Sequence, residues 1–320
     1  MGLDMQESFQ PKRPKLLLIF FLSTLPIVLF LGLLHYQMYS RLESRAVLEN
    51  AAAVRLVVRS VQEHFKRLMN YTEDFSRRPL LAETAAKKDV EAMRGFLKEF
   101  IMHNKEFDRV FLADPSGVLW ADYPQDPAVI GKNFSYRDWY QEVSRTQAPY
   151  LSRIYQRAAS PQIYLIAVAS PVRNEKKETV AYLVGQYRFE SLLTWLSLIK
   201  PSLTGSMRLI DHRGFLLRQP GSALQPLADL NQDLVIQKAF SGPSGSMKGP
   251  DPISGKPSLI SYSTVEPYGW IVLASQPAAV IFDTARDLQM VIWGFFALFF
   301  ITLMILGFVL KNQIRRWFWN

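Results

Sequence analysis

The sequence predicts an α+β protein in which a long N-terminal helix and two antiparallel-sheet units are flanked by two membrane-spanning helices. Three observations lead to this prediction: an uncharged apolar run near each end of the chain, a heptad pattern directly after the first run, and a strand–turn–strand pattern that occurs twice further on. With 320 residues, of which 49% are hydrophobic, the chain is long enough for two folded units and too apolar to be disordered.

The two uncharged runs, residues 16–34 and 290–310, are each long enough to cross a membrane. A helix of about 20 residues spans the hydrocarbon core of a bilayer, which is about 30 Å thick. Both ends of the chain are predicted to be cytoplasmic, because basic residues flank the outer side of each run. These residues are Lys12, Arg13 and Lys15 before the first run and Lys311, Arg315 and Arg316 after the second. The predicted order is a cytoplasmic N-terminus (1–15), a first span (16–35), an exported region (36–289), a second span (290–310) and a cytoplasmic end (311–320).

Composition excludes several classes of function. The net charge is +9, but the exported region has no dense basic stripe, so nucleic-acid binding is not expected. The absence of cysteine excludes disulfides, thiolate nucleophiles and cysteine zinc sites. The four histidines lack metal-ligand spacing, and neither a Walker glycine loop nor a Gly-x-Ser-x-Gly elbow is present. We therefore expect no enzyme activity, no metal and no cofactor, and we expect His64 to be a solvated residue of the long helix.

Directly after the first run, apolar residues recur with a 3.5-residue period over four heptads. They are Val47, Ala51, Val54, Val58, Val61, Phe65, Leu68, Thr72 and Phe75. The pattern predicts a stiff stalk helix over residues 36–78. Its narrow apolar seam fits packing along the helix's own domain and also fits a partner helix in a parallel homodimer. The two uses are compatible along different parts of the helix.

The first sheet unit is predicted over residues 79–200. Pro79 ends the heptad pattern, and Asp89 marks the start of a second helix. Strand patterns follow, with a tight Asp-Pro-Ser-Gly turn (114–117) between the first two. They lie at residues 109–113, 118–121, 150–155, 163–172 and 179–187. The unit is expected to hold a sheet of about five mostly antiparallel strands with helices on one face.

The second sheet unit is predicted over residues 201–285. Residues 206–217 repeat a pattern of the first unit: an apolar strand ending in Asp, a two-residue turn ending in Gly, and another apolar strand. Glycine and proline are frequent over residues 241–257, which predicts a long loop. Strands at residues 258–264 and 269–275 are expected to close the unit.

Four short motifs occur in a fixed order along the exported region. They are Asp-Pro-Ser-Gly (114–117), Ile-Gly (130–131) followed by Ser-Tyr-Arg-Asp-Trp-Tyr (135–140), Ile-Asp-His-Arg-Gly (210–214), and Tyr-Gly-Trp (268–270) with Gln-Pro (276–277). Together with the long helix and the flanking spans, this order resembles the double Cache extracytoplasmic sensor domain of bacterial chemoreceptors, sensor histidine kinases and diguanylate cyclases. The resemblance covers residues 40–285. It implies two stacked PAS-like subdomains, with small molecules bound in the membrane-distal one.

The resemblance also implies a ligand site. The amino-acid-binding version of the family has a Tyr, then Arg-x-Trp-Tyr, then a later Tyr and an Asp in a later strand. Arg137, Trp139 and Tyr140 match the middle of this pattern, and Tyr155 lies at a suitable distance downstream. An arginine guanidinium can hold a carboxylate through two hydrogen bonds. The indole and phenol groups add donors and apolar surface.

Two departures from the family pattern favour an organic anion over an amino acid. Lys132 stands where the family has its leading Tyr, and the strand expected to carry the Asp reads Val-Gly-Gln-Tyr (184–187). A buried ammonium without a carboxylate partner costs several kcal/mol. The expected ligand is therefore a mono- or dicarboxylate, with Lys132 or Arg157 assisting Arg137 and with Tyr187 as a further contact.

Two alternatives stay open for this site. Asp122 or Asp138 would restore amine recognition, and with it an amino-acid ligand, if either side chain turns inward. A purely structural role also fits the sequence, with Arg137 paired to Asp138 and Trp139 filling the core.

The sequence thus predicts a sensor in the bacterial inner membrane that binds a small ligand in its periplasmic or extracellular region and transmits the signal across the membrane. The alternative from another class is a structural or interaction protein whose exported domain binds a protein partner. Family members continue into a HAMP linker and a signalling output, so an output enzyme is expected outside this chain. A fragment of a longer protein and a complete protein that signals through a partner both fit the sequence.

Overall fold

The computed structural model describes residues 13–158, 160–198, 205–216 and 228–317. Within these ranges the side chains of some residues lie outside the description. They are residues 13–23, 193, 195–198, 284–285, 288, 303 and 306–317. The chain divides into two compact units, a terminal unit of Met1–Ala46 with Ala278–Asn320 and a central unit of Val47–Pro277. The predicted subdomain boundary at residues 200–201 lies outside the described residues, and the predicted domain limits stay predictions.

Helices and strands follow one another in the α+β order that the sequence predicts. The helices are α1 (Arg13–Ser76), α2 (Pro79–Ala86), α3 (Val90–His103), α4 (Asp138–Thr146), α5 (Phe189–Leu198), α6 (Leu234–Ser241) and α7 (Ala278–Trp317). The strands are β1 (Phe107–Ala113), β2 (Leu119–Tyr123), β3 (Tyr150–Leu151), β4 (Tyr155–Gln156), β5 (Tyr164–Arg173), β6 (Thr179–Arg188), β7 (Ser206–Ile210), β8 (Phe215–Leu216), β9 (Ala228–Asp229), β10 (Ser244–Pro250), β11 (Pro257–Val265) and β12 (Trp270–Pro277).

In the terminal unit, α1 and α7 contact each other through aromatic side chains. The rings of Tyr39 and Phe282 stack with their centroids 4.8 Å apart. The predicted spans, residues 16–35 and 290–310, fall within these two helices. Among the residues whose placement is described, no helix is both long and apolar enough to cross a membrane. The predicted cytoplasmic ends lie partly outside the described residues, at 1–12 and 318–320.

The first sheet of the central unit has the strand order β2-β1-β6-β5-β3, with β4 also paired to β5, and these pairings are antiparallel. Both faces of this sheet are covered. Val110 and Leu112 pack with α1, α2 and α3 on one face, whereas Phe111 and Ala113 pack with Trp139 of α4 on the other. The prediction of helices on one face only is wrong, because α4 packs on the opposite face from α1–α3.

The second sheet has the order β10-β11-β12-β7-β8-β9 and is also antiparallel. Residues 241–257 do not form one long loop as predicted, because β10 pairs with β11 along its whole length. An edge strand tolerates glycine and proline, since only one of its sides takes part in the hydrogen-bond ladder. At Gly245 a Cβ atom would lie 2.6 Å from the hydroxyl oxygen of Tyr262, so the absence of a side chain allows this close pairing.

The repeated strand-Asp-x-x-Gly-strand pattern forms the same turn in both sheets. Asp114 Oδ1 accepts hydrogen bonds from two backbone N–H groups of its turn, both at 2.8 Å. Asp211 Oδ1 accepts two equivalent bonds at 2.9 and 3.0 Å. Gly117 and Gly214 have φ values of +88° and +82°, a region that glycine adopts without steric cost. The predicted internal repeat is therefore present in the structure.

The heptad seam of α1 is buried within the central unit. Its members from Val54 to Phe75 are buried and belong largely to one apolar cluster that includes residues of both sheets. Phe65 makes edge-to-face contacts with Tyr268 and Trp270, each with ring centroids 5.1 Å apart. The helix's own domain therefore occupies this part of the seam, and the predicted homodimer stays a prediction.

His64 is buried, with 2% of its surface exposed, and the prediction of a solvated position is wrong. Its ring packs edge-on against Tyr187 of β6 at 5.3 Å, and its Nδ1 atom lies 2.8 Å from a guanidinium nitrogen of Arg67. Burial lowers the pKa of His64 from 6.5 to about 4, while the Glu106 charge raises it and the Arg67 charge lowers it. The imidazole is therefore neutral in the folded protein at pH 7.

Mild acid is expected to destabilise the fold through His64. The folded-state pKa lies below the unfolded value, so the unfolded chain binds more protons between pH 6.5 and about 4. The free energy of unfolding therefore falls as the pH falls through this window, by about 3 kcal/mol at most. His64→Gln should weaken this pH dependence, and chemical denaturation of both proteins at pH 7 and pH 5 measures it.

The matched control is His103→Gln, which alters an exposed histidine of α3 and should keep the pH dependence of the wild type. If the wild type and His64→Gln lose stability in parallel between pH 7 and pH 5, the assignment to His64 is wrong.

Candidate ligand-binding site

A small cavity lies on the α4 face of the first sheet. It leaves about 30 Å³ for water-sized molecules. Its walls come from β1, β2, β4, β6, the connection between β2 and α4, the start of α4, and the segment after β4. The lining residues are Arg109, Phe111, Leu119, Val129, Phe134, Arg137, Trp139, Tyr155, Arg157, Ala158 and Gln186. Three of these are arginines, and none is acidic.

Strand alternation directs two polar residues toward this cavity. On β1, Arg109 and Phe111 face the cavity, while Val110 faces the α1 side of the sheet. On the neighbouring strand β6, Gln186 is the register partner of Arg109. Residues opposite each other in an antiparallel pair project to the same face, so these two polar side chains share one wall of the cavity.

Arg137 is the residue before α4 and lines the cavity. Its guanidinium carbon lies 4.6 Å from the ring centroid of Tyr155, and Nη2 donates to the backbone carbonyl of Gln156 at 3.1 Å. No carboxylate among the described residues forms an ion pair with it. The predicted structural alternative, a pair between Arg137 and Asp138, is not formed. Instead, Asp138 faces Arg153: its Oδ2 accepts the backbone N–H of Arg153 at 2.8 Å, and its Oδ1 lies 3.9 Å from Nε of Arg153.

Arg109 is held by a buried ion pair. Its Nη1 atom lies 2.5 Å from Oδ2 of Asp122, a residue with no exposed surface. Burial raises the pKa of Asp122, while the backbone N–H of Asp126 and the Arg109 guanidinium oppose that rise. The carboxylate of Asp122 is thus engaged by Arg109 and does not line the cavity.

Arg157 shares its acidic partner with a second arginine. It forms an ion pair with Asp108, and Asp108 also accepts a hydrogen bond from Nε of Arg188 at 2.6 Å. The Nε atom of Arg157 donates to the carbonyl of Pro161 at 3.2 Å. Two guanidinium groups against one carboxylate leave a net positive charge beside the cavity.

Tyr155 and Gln186 form a buried polar pair. The Nε2 atom of Gln186 lies 3.1 Å from the Tyr155 hydroxyl, and burial raises the pKa of Tyr155 so that the phenol is neutral at physiological pH. Trp139 is buried and lies edge-on against Phe111 at 5.5 Å, so it fills the core as well as lining the cavity.

Residues 41–285 match a family model described as Cache domain. The chain belongs to the Cache domain family. Its long N-terminal helix and two antiparallel sheets fit the tandem PAS-like arrangement that the sequence resemblance implies. A comparison with curated protein sequences finds no match.

Several solved structures share the fold. The ligand-binding domain of Pseudomonas fluorescens chemoreceptor CtaA, in complex with L-isoleucine, is 16% identical with a TM-score of 0.58, over 78% of this chain and 98% of that one. The ligand-binding domain of Pseudomonas aeruginosa PAO1 chemoreceptor PctB, in complex with L-glutamine, is 14% identical with a TM-score of 0.56, over 76% of this chain and 97% of that one. The periplasmic sensory domain of Campylobacter jejuni chemoreceptor Tlp1 is 15% identical with a TM-score of 0.58, over 75% of this chain and 98% of that one.

One similar protein is much longer than this chain. An extracellular ligand-binding receptor from Desulfohalobium retbaense DSM5692 is 13% identical with a TM-score of 0.53, over 70% of this chain, which spans only 39% of its length. The Cache domains among these structures are sensory ligand-binding domains, not enzymes, which agrees with the prediction that this chain is not an enzyme.

Four of the eight predicted site residues line the cavity of this Cache domain, and four do not. Arg137, Trp139, Tyr155 and Arg157 are the four in the lining. Lys132 is exposed outside the lining, and Tyr140 donates its hydroxyl hydrogen to the carbonyl of Pro115 at 2.7 Å. Asp122 lies behind Arg109, and Tyr187 faces α1 on the opposite side of the sheet.

Sequence reasoning missed two polar residues of the Cache domain cavity, Arg109 and Gln186. Each is a polar residue inside an apolar strand, which is the signal that could have identified it. The sequence analysis assigned Tyr187 to the site, whereas the adjacent residue Gln186 lines the cavity. Successive strand residues project to opposite faces of a sheet, so an error of one residue moves the assignment to the wrong face. The assignment therefore depended on knowing which face of the sheet carries the cavity.

Removing the Asp122 carboxylate is expected to destabilise the Cache domain. Asp122→Asn leaves the Arg109 guanidinium buried without a counter-charge, and breaking such a pair costs about 3–5 kcal/mol. Urea denaturation at pH 7 measures the change in the free energy of unfolding. Glu142→Gln is the control, because Glu142 pairs with Arg145 on the exposed side of α4 and such pairs contribute less than about 1 kcal/mol. Equal losses in the two variants would contradict the buried-pair assignment.

Proposed function

We propose that this chain is the sensor region of a membrane receptor and that its first-sheet subdomain binds a small organic anion, in particular a carboxylate. The observation that carries the proposal is the charge of the cavity lining: three arginines and no acidic residue. Ligand capture in this subdomain is the event that the receptor reports across the membrane.

The charges around the cavity favour an anionic ligand. Asp122 forms an ion pair with Arg109, and Asp108 forms ion pairs with both Arg157 and Arg188. Arg137 has no acidic partner among the described residues. Its planar guanidinium presents a fork of N–H donors that matches a carboxylate, so Arg137 is the expected anchor for the ligand's carboxylate.

The small size of the cavity fits a sensor whose ligand changes its packing. The free space is about that of one or two water molecules, so even a short carboxylate must move side chains apart as it enters. A ligand that binds only the opened arrangement shifts the population toward it. In this proposal the shift passes from the first sheet to α1, which packs on the other face of the same sheet.

An amino-acid sensor is the second candidate. It is favoured by the relatives CtaA and PctB, whose structures contain L-isoleucine and L-glutamine, and by the match of Arg137, Trp139 and Tyr155 to the amino-acid-binding pattern. The lining weighs against it, because none of the described lining residues carries a carboxylate to pair with an ammonium group.

Membrane attachment is part of the proposal and is supported by the sequence. The two uncharged runs at residues 16–34 and 290–310, with basic residues on their outer sides, favour two spans with both ends in the cytoplasm. We assign the membrane to the bacterial inner membrane and residues 36–289 to its outer side. A homodimer through the stalk helix also belongs to this proposal.

Loss of the Arg137 guanidinium should abolish ligand binding. The full chain in detergent is titrated with acetate, propionate, succinate, alanine, isoleucine and glutamine, and the melting temperature is followed. At least one carboxylate should raise the melting temperature of the wild type, since a ligand that binds only the folded state stabilises it. Arg137→Ala should remove that rise, and the control Arg145→Ala, an exposed residue of the same helix, should retain it.

The outcomes separate the candidates. Stabilisation by amino acids alone would select the amino-acid sensor. A carboxylate effect that persists in Arg137→Ala would overturn the site, and the absence of any effect in the whole set would overturn the function.

Single cysteines test the membrane topology cleanly, because the chain has no cysteine of its own. Gln125→Cys alters an exposed residue of the first-sheet subdomain, and Lys311→Cys alters the flank of the second apolar run. A membrane-impermeant maleimide should label the first variant in intact cells and the second only after the membrane is permeabilised. Labelling of both variants, or of neither, in intact cells would contradict the proposed orientation.

A further inference from the structure

The cavity contains hydrogen-bonding groups that the described protein leaves unused. Gln186 is buried, and its Oε1 atom has no hydrogen-bond partner in the described part of the chain, while Nε2 donates to the Tyr155 hydroxyl. In this arrangement the Tyr155 O–H also lacks an acceptor among the described residues. Reversing the amide of Gln186 exchanges the roles: the Tyr155 O–H donates to Oε1, and Nε2 is left free. In either arrangement the pair offers at least one unused donor and at least one unused acceptor.

Arg109 adds a second unused group on the same wall. Its Nη1 atom is engaged by Asp122, but its buried Nε–H has no partner among the residues that the structure describes. Arg109 is the register partner of Gln186 across β1 and β6, and both side chains line the cavity. A buried polar group without a partner destabilises the protein, and a ligand that hydrogen-bonds to it removes that penalty.

The chemistry of these groups selects a hydroxyl over an ammonium. A hydroxyl is neutral and both donates and accepts, so it complements the Tyr155–Gln186 pair in either arrangement of the amide. An ammonium only donates, and it needs a carboxylate. None of the described lining residues offers one, because Asp122 and Asp108 hold arginines and Asp138, which faces Arg153, lies outside the lining.

The distances place the hydroxyl subsite close to the carboxylate anchor. The Arg137 guanidinium carbon lies 4.6 Å from the centroid of the Tyr155 ring, and Gln186 contacts the hydroxyl at the end of that ring. A short ligand can therefore reach both groups only if its hydroxyl is on a carbon near the carboxylate.

We infer that the ligand is a hydroxycarboxylate, with its carboxylate on Arg137 and its hydroxyl on the Tyr155–Gln186 pair, where Arg109 Nε donates to one of its oxygens. This inference rests on the proposed function, since it requires a carboxylate at Arg137. It makes Gln186 the residue that discriminates between a hydroxyl, a hydrogen and an ammonium group on the ligand.

Two matched series of compounds test the inference on the full chain in detergent by calorimetric titration. Lactate, propionate and alanine differ only in the group on carbon 2, and malate, succinate and aspartate form the same series with a second carboxylate. In at least one series the hydroxy compound should bind about tenfold or more tightly than the deoxy compound, and the amino compound should bind no better than the deoxy compound.

Variants of Gln186 assign the effect to that residue. Gln186→Leu should reduce the preference for the hydroxy compound over the deoxy compound to about threefold or less, because only Tyr155 and Arg109 then contact the hydroxyl, and should leave the affinity for the deoxy compound within about twofold. Gln186→Glu supplies a carboxylate of the same shape and should raise the affinity for the amino compound about tenfold or more. The melting temperature of each variant without ligand reports whether it is folded, and the wild-type series decides the inference without any variant.

The results distinguish the failure of this inference from the failure of the proposed function. Equal affinity for hydroxy and deoxy compounds, with binding that still requires Arg137, overturns the hydroxyl subsite and leaves the anion sensor standing. Tightest binding of the amino compound overturns both. Absence of binding in both series overturns the hydroxycarboxylate, whereas another carboxylate that binds through Arg137 would retain the proposed function.

Discussion

The burial of one face of α1 is the contact on which the central unit depends. The seam from Val54 to Phe75 packs against both sheets, so each sheet covers part of its apolar surface with the same helix. Each large apolar side chain buried in this way stabilises the fold by about 1.5–3 kcal/mol. Phe65 contacts Trp270 of the second sheet and Tyr268 in the turn before it. The neighbouring His64 contacts Tyr187 of the first sheet. A movement of the helix against one sheet therefore changes its packing against the other.

The cavity and α1 lie on opposite faces of the first sheet, separated by a single layer of strands. On β6 the step from Gln186 to Tyr187 crosses this layer, because Gln186 lines the cavity and Tyr187 contacts His64 of α1. On β1, Arg109 likewise lines the cavity, and the next residue, Val110, packs in the cluster that contains α1. Neighbouring strand residues share a peptide unit, so a displacement of β6 on the cavity side also displaces the residue that packs on the helix. The cavity and α1 are therefore connected through adjacent residues of the same strand.

Much of the fold could be predicted from periodicity and turn chemistry, whereas the faces of the sheets could not. The heptad seam, the Asp89 helix start and the two Asp-x-x-Gly turns follow from local patterns and are present. The placement of α4 was missed because no local signal says which face of a sheet a helix covers. The strand β10 was missed because glycine and proline weaken a strand pattern that pairing with β11 restores. The buried position of His64 depends in the same way on a sheet that is distant in sequence.

The sequence by itself determined the family, the order of the elements and four residues of the cavity lining, Arg137, Trp139, Tyr155 and Arg157. Only the tertiary structure decided which charges remain available there. Asp122 forms an ion pair with Arg109, and Asp108 forms ion pairs with Arg157 and Arg188. Arg137 has no acidic partner among the described residues. The tertiary structure also decided that Gln186, and not Tyr187, faces the cavity. The physical reason is that ion pairing and strand facing depend on contacts between residues far apart in the chain, which local patterns do not encode.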